Sequence, residues 1–98
     1  MKRVIGVVLS ALAAAALTTP AAHAATGQVV VFSVEVTPLE TFDDPKGCKT
    51  LPVGAHVLAN LTDRDVTIYG DPACFSPLVV VGPGYGTHVP NYGATFKA

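Results

Sequence analysis

The sequence predicts an all-β domain, a small sandwich assembled from two similar units, and three observations carry that prediction. Beyond residue 24 no stretch has a 3.6-residue apolar period. Instead, short runs rich in Val, Ile, Tyr and Phe recur at spacings of about 8–12 residues between Gly- and Pro-containing turns. Next, Val66-Thr-Ile-Tyr-Gly-Asp-Pro-Ala-Cys74 is echoed upstream by Leu39-Glu-Thr-Phe-Asp-Asp-Pro-Lys-Gly-Cys48. Each reads as a short strand, an aromatic, a turn on Asp-Pro and a cysteine. Each is followed by a glycine and then His-Val, at Gly54–Val57 and Gly86–Val89. Phe42 and Tyr69 are 27 positions apart, Cys48 and Cys74 26, and His56 and His88 32, so the second unit needs an insertion of about six residues. Finally, Cys48 and Cys74 can staple a domain too small to rely on its core alone.

Taken in order, residues 1–24 read as a bacterial-type secretory signal. Lys2 and Arg3 form the positive start, Val4 to Leu17 an apolar run broken by Gly6 and Ser10, and Ala22-His23-Ala24 the cleavage site. The run falls short of the about 20 residues a membrane span needs. A single β domain then occupies 25–98, with units at roughly 29–60 and 61–98. Ala25 to Gln28 is a frayed start. Val29 to Val36 is the first strand, β-branched and apolar, and Thr37-Pro38 breaks it, since proline cannot donate to a ladder. Strands follow at 39–42, 48–53, 56–60, 66–69, 78–81, 87–89 and 94–97. Asp43 to Gly47, Leu61 to Asp65, Gly70 to Pro72 and the glycine-rich run Gly82 to Gly86 supply the turns between them. The Val-rich first strand would offer an open edge to a second copy; the expected state is a monomer.

Cleavage removes Lys2 and Arg3, leaving four basic residues against seven acidic ones and a net charge of −3 with histidines neutral. No basic patch remains, which disfavours nucleic acid and anionic membrane surfaces as partners. In a secreted, oxidising setting the two cysteines favour a Cys48–Cys74 disulfide. It would close a loop of 26 residues and contribute about 3–4 kcal/mol. Two separate thiols are the alternative. No C-x-x-C motif points to redox catalysis or structural zinc.

Catalysis has little material. Ser76, His88 and Asp71 could be assembled on paper into a triad, but no nucleophile motif surrounds them, and the expectation is a non-enzyme. The repeat makes His56 and His88 equivalent, so a two-fold relation could bring them together to share a zinc or copper ion or to sense pH; strand-start residues bonded to nearby turns are the plainer reading. Asp43-Asp44 and Asp63-Arg-Asp65 are carboxylate pairs that could ligate calcium, turn and cap chemistry being the plainer reading and no metal the expectation. Asn60-Leu-Thr62 is a glycosylation sequon that reads as a strand end capping the polar turn. Phe42 and Tyr69 are assigned to the core or to one sheet face. Phe75, Tyr85 and Tyr92, in loops, are the candidate binding aromatics.

Residues 59–74, followed by Val81-Gly-Pro-Gly84, resemble the βγ-crystallin-like Greek-key unit of small secreted bacterial proteins, closest in flavour to the Streptomyces metalloproteinase inhibitor-like family. The shared pattern is Asn60, a polar turn, an alternating strand ending in Tyr69, a turn, Cys74 and a Pro-Gly loop; residues 39–57 match it loosely. The resemblance implies a Greek-key sandwich of crystallin type and a secreted, non-enzymatic binding module. It would be a peptidase inhibitor that presents Ala73–Leu78 or Pro83–His88 to an extracellular protease. An extracellular structural or stress protein, with or without calcium, and a small antimicrobial killer-toxin-like protein are the other roles it implies. Two features depart from the family: Gly86-Thr-His88 stands where its calcium sites carry a Ser/Thr-Ser pair, and the inhibitors have more cysteines.

Overall fold

The computed structural model describes residues 24–98; the signal expected over 1–24 lies, apart from Ala24, outside them. Among the described residues the chain forms eight strands and no helix: β1 (Gly27–Phe32), β2 (Glu40–Asp43), β3 (Cys48–Thr50), β4 (Val57–Thr62), β5 (Val66–Tyr69), β6 (Pro77–Val81), β7 (Gly86–His88) and β8 (Thr95–Lys97). Each expected strand is present. The first stops at Phe32, short of Val36, because its ladder with β2 ends at Val31↔Glu40 and the chain must turn before Glu40. Conversely, Leu61 and Thr62 belong to β4 rather than to a turn, since they pair with Gln28 and Gly27.

Two antiparallel sheets of four strands result, ordered β2-β1-β4-β7 and β3-β8-β5-β6, the layout of a β-sandwich. β1 lies between β2 and β4, so the open first-strand edge expected from the sequence does not exist.

Adding four to each strand number, cyclically, turns the first order into the second read backwards: β2-β1-β4-β7 becomes β6-β5-β8-β3. The correspondence extends to register. Val57↔His88, Leu58↔Thr87 and Ala59↔Gly86 join β4 to β7; Thr50↔Thr95, Lys49↔Phe96 and Cys48↔Lys97 join β8 to β3 in the same way, every residue shifted by 38 positions. Likewise Val29-Val-Val-Phe32 matches Val66-Thr-Ile-Tyr69, both alternating buried and half-buried. The two halves therefore correspond at an interval near 38, not at the 26–32 suggested by the Asp-Pro and His-Val dipeptides. Tyr69 is the counterpart of Phe32 rather than Phe42.

Alternation along the strands fills the space between the sheets. Val29, Val31 and Leu58 from one sheet meet Val66, Ile68, Val81 and Phe96 from the other, with Leu51 and Val89 closing one end. Burying each such side chain contributes about 1.5–3 kcal/mol. Phe42 packs edge-to-face on Phe96 across the sandwich, with ring centroids 4.9 Å apart. Phe42 and Tyr69 thus belong to different sheets, and the aromatic partner of Phe42 is Phe96.

The strands alternate in direction, so the connections gather at two ends. One end holds 33–39, 51–56, 70–76 and 89–94; the other holds 44–47, 63–65, 82–85 and the start of β1. At the first end the same hydrogen bonds occur twice. The His56 N–H donates to the Phe32 carbonyl and the Ala94 N–H to the Tyr69 carbonyl, both at 2.8 Å. The Val89 N–H donates to His56 at 2.8 Å and the Leu51 N–H to Ala94 at 2.9 Å.

Candidate functional site

The end opposite to these loops is structural. Asn60 is wholly buried. Its amide donates to the carbonyls of Arg64 (2.8 Å) and Val81 (2.9 Å), while its side-chain oxygen accepts from the Thr62 N–H (2.9 Å) and Thr62 hydroxyl (2.7 Å). Its full set of side-chain bonds ties the β4–β5 turn to β6, as buried amides require. A sequon asparagine in this state presents no free amide to a glycosylating enzyme.

Three of the four candidate calcium aspartates are engaged around the start of β1. Asp63 accepts from the Thr26 N–H at 2.8 Å, Asp44 from the Gly27 N–H at 2.9 Å and Asp43 from the Gln28 side chain at 2.9 Å. Asp63 and Asp44 cap backbone donors that the ladder leaves open, and Asp43 pairs with a side chain. Gly27 has φ 120°, and a Cβ there would collide with the Leu61 carbonyl, so only glycine fits. Asp65 stands apart, beside Gly82. Tyr85 is at this end too, its ring over Gly82 and its loop held by Tyr85 N–H to Gly82 O (3.0 Å) and Gly84 N–H to Asn60 O (2.7 Å).

The loop end carries the remaining candidates. Phe75 is 82% exposed, Tyr92 68% and Tyr85 72%, but only the first two share an end. The Tyr92 carbonyl lies against Gly70, where the Phe75 loop begins.

That loop, 70–76, is closely tied. The Asp71 carboxylate accepts from the N–H groups of Ala73 (3.0 Å), Phe75 (2.9 Å) and Ser76 (2.7 Å). Gly70 N–H to Ser76 O closes the loop at 2.9 Å, and the Thr95 hydroxyl donates to the Asp71 carbonyl at 2.8 Å. Cys74, at φ 59°, joins Cys48 in the disulfide expected from the sequence, with Cα atoms 5.9 Å apart. Desolvation pushes the Asp71 carboxyl up, but the N–H groups of Ser76, Phe75 and Ala73 together with its own hold it below the ordinary aspartate value.

Ser76, His88 and Asp71 do not assemble. Asp71 is committed to its own loop, Ser76 closes that loop, and His88 sits in β7 of the other sheet. The His88 ring instead meets that of His56, centroids 4.8 Å apart and planes at 61°. Repeat equivalence is not the reason, because the counterparts of His56 and His88 are Ala94 and Thr50. They meet because β7 lies beside β4. Both line a cleft of about 460 Å³ between the loops 51–56 and 89–94. Sequence reasoning missed this cleft, whose trace is the pair Leu51-Pro52 and Val89-Pro90. Among the described residues no three His, Cys, Asp or Glu side chains converge as a metal set, and no helix is long and apolar enough to cross a membrane.

In comparison with known proteins, the chain matches no family model, no curated protein and no solved structure.

Proposed function

We propose that this chain is a secreted, non-enzymatic binding module of βγ-crystallin-like build, whose contact surface is the loop end around Phe75 and Tyr92 and whose partner is an extracellular protein, an extracellular peptidase being the first to test. The strand order supports the fold reading. In each half the fourth strand lies beside the first and the first beside the second, as in a Greek key, while the third strand crosses to the other sheet. The disulfide suits an oxidising compartment.

One observation carries the binding reading: Phe75 stands 82% exposed on a loop that a carboxylate and a disulfide already hold in place. An exposed aromatic on a preorganised loop loses little entropy on docking and makes a good anchor. Inhibition by this loop would act by occlusion rather than by substrate mimicry. Cys74 is in the left-handed region and the Phe75 N–H is taken by Asp71, whereas a substrate strand needs extended backbone with free donors.

The test is a stoichiometric titration of secreted serine and metallo-peptidases with the protein and with Phe75→Ala. The reading expects at least one peptidase to be blocked at a one-to-one ratio, and the block to weaken about 10-fold or more in the variant, as for an aromatic hot spot, at unchanged thermal stability. Equal activity of parent and variant against every peptidase bound would remove Phe75 from the surface. Binding to none would remove the peptidase.

A further inference from the structure

We propose that His56 and His88 form a two-imidazole site for a late first-row transition-metal ion, Zn²⁺, Ni²⁺ or Cu²⁺, open to the cleft between the loops 51–56 and 89–94. The proposal does not rest on the peptidase reading and uses neither Phe75 nor Tyr92, although its cleft opens on the same loop end.

The separation of the rings fits a shared ion. An imidazole nitrogen binds these ions at about 2.0–2.1 Å, which places each ring centroid about 3.2 Å from the metal. Centroids 4.8 Å apart then subtend about 100° at the ion, between the roughly 90° of tetragonal and the roughly 109° of tetrahedral sites. The 61° between the planes makes the present contact edge-to-face. Turning the rings about χ2, a broad torsion, aims a nitrogen of each at a common point.

The backbones are already fixed. His56 donates its N–H to Phe32 and accepts from Val89, both at 2.8 Å, and His88 sits in the ladder opposite Val57. A chelating pair with one member in β7 and the other tied down just ahead of β4 costs little ordering when the ion arrives. Both side chains are exposed. Side-chain hydrogen bonds among the described residues gather elsewhere: around Asn60, around Asp71 and at the start of β1. Every other residue lining the cleft is uncharged and non-titratable, among them Pro52, Pro90 and Asn91. Glu35 is outside the cleft and lines, with His56, a separate shallow depression formed by residues 32–35.

The donor set selects the ion. Imidazole suits Zn, Ni and Cu, whereas calcium needs six to eight oxygen ligands. Two protein ligands leave the remaining positions to water or to a small anion entering from the cleft, as in an open rather than a closed site.

The test is calorimetric titration of the purified protein with ZnCl₂ and NiCl₂, alongside CaCl₂, in a non-chelating buffer, repeated on His56→Ala and His88→Ala. The expected result is saturable one-to-one binding of Zn²⁺ and Ni²⁺ and none of Ca²⁺ at this site. Each single variant should weaken it about tenfold or more, and the double variant, with no imidazole left, should abolish it. In the unmodified protein, the ring C–H resonances of both histidines should move together on addition of Zn²⁺, a readout that does not depend on the variants folding. Absence of binding at millimolar Zn²⁺ and Ni²⁺ would overturn the proposal. So would affinity kept within about twofold in either variant, or a response confined to one ring.

Discussion

The connections 33–39 and 70–76 occupy equivalent places in the fold and are equally long, seven residues each, yet they are built in opposite ways. Loop 70–76 is held by the Asp71 carboxylate, by the Gly70–Ser76 bond, by Thr95 and by the disulfide. Loop 33–39 has one internal backbone bond, Thr37 N–H to Val34 O at 3.0 Å, and leaves Val36 93% exposed. Topology therefore fixes where a loop emerges but not how firmly it is held. The firmness comes from one carboxylate and one cysteine, and the counterparts of Asp71 and Cys74 in the first loop, Val34 and Thr37, can supply neither.

The largest expected effect comes from removing the staple. Cys48→Ser with Cys74→Ser should cost about 3–4 kcal/mol, and lower Tm by more than about 10 °C in a domain this small, measured by thermal unfolding. If Tm hardly moves, the disulfide merely decorates a loop that Asp71 holds alone. A smaller effect follows from Asp71→Asn. The amides of Phe75 and Ser76 should lose about tenfold or more of their hydrogen-exchange protection while the core strands keep theirs. Equal loss across β5 and β8 would show that the loop and the sheet open as one unit.

Acid should reproduce that loosening in the unmodified protein. The Asp71 carboxyl is held below its unfolded value, about 3.9, by bonds to the ionised form. Its contribution is therefore complete above that value and is lost as pH falls through the lowered one. Protection factors of Phe75 and Ser76 should hold at pH 5 and drop only below the ordinary aspartate range, and Asp71→Asn should abolish the step. A step at or above pH 4 would contradict the bonding. The smallest effect is expected from Val36→Ser in the other loop, within about 0.5 kcal/mol of the parent in thermal unfolding. A larger loss would mean that loop 33–39 carries packing of its own.

Much of this was legible in the sequence. The longer strands, β1, β4, β5 and β6, show as runs rich in apolar and β-branched residues between turn residues, and the staple follows from two cysteines in a small chain. The two halves of the strand order correspond, but not in the register that the repeated dipeptides suggest. Asp-Pro and His-Val recur because turns and strand starts favour them, so they mark chemistry rather than position. The true interval is written in Val29-Val-Val-Phe32 against Val66-Thr-Ile-Tyr69, where burial rather than turn formation dictates the residues. The meeting of His56 with His88 depends on β7 crossing to lie beside β4, a long-range pairing that local pattern does not encode. The Asp71 knot depends on Cys74 adopting a positive φ, which the local preference of a cysteine would not suggest.

The most direct test of the central claim, that equivalent loops differ because one is knotted and stapled, is native-state hydrogen exchange read at Phe75 and Ser76 against Glu35 and Val36 at neutral pH. Protection of the first pair at least about tenfold above the second is the result expected. Comparable protection in both loops would contradict it, and with it the assignment of Phe75 as a preorganised anchor.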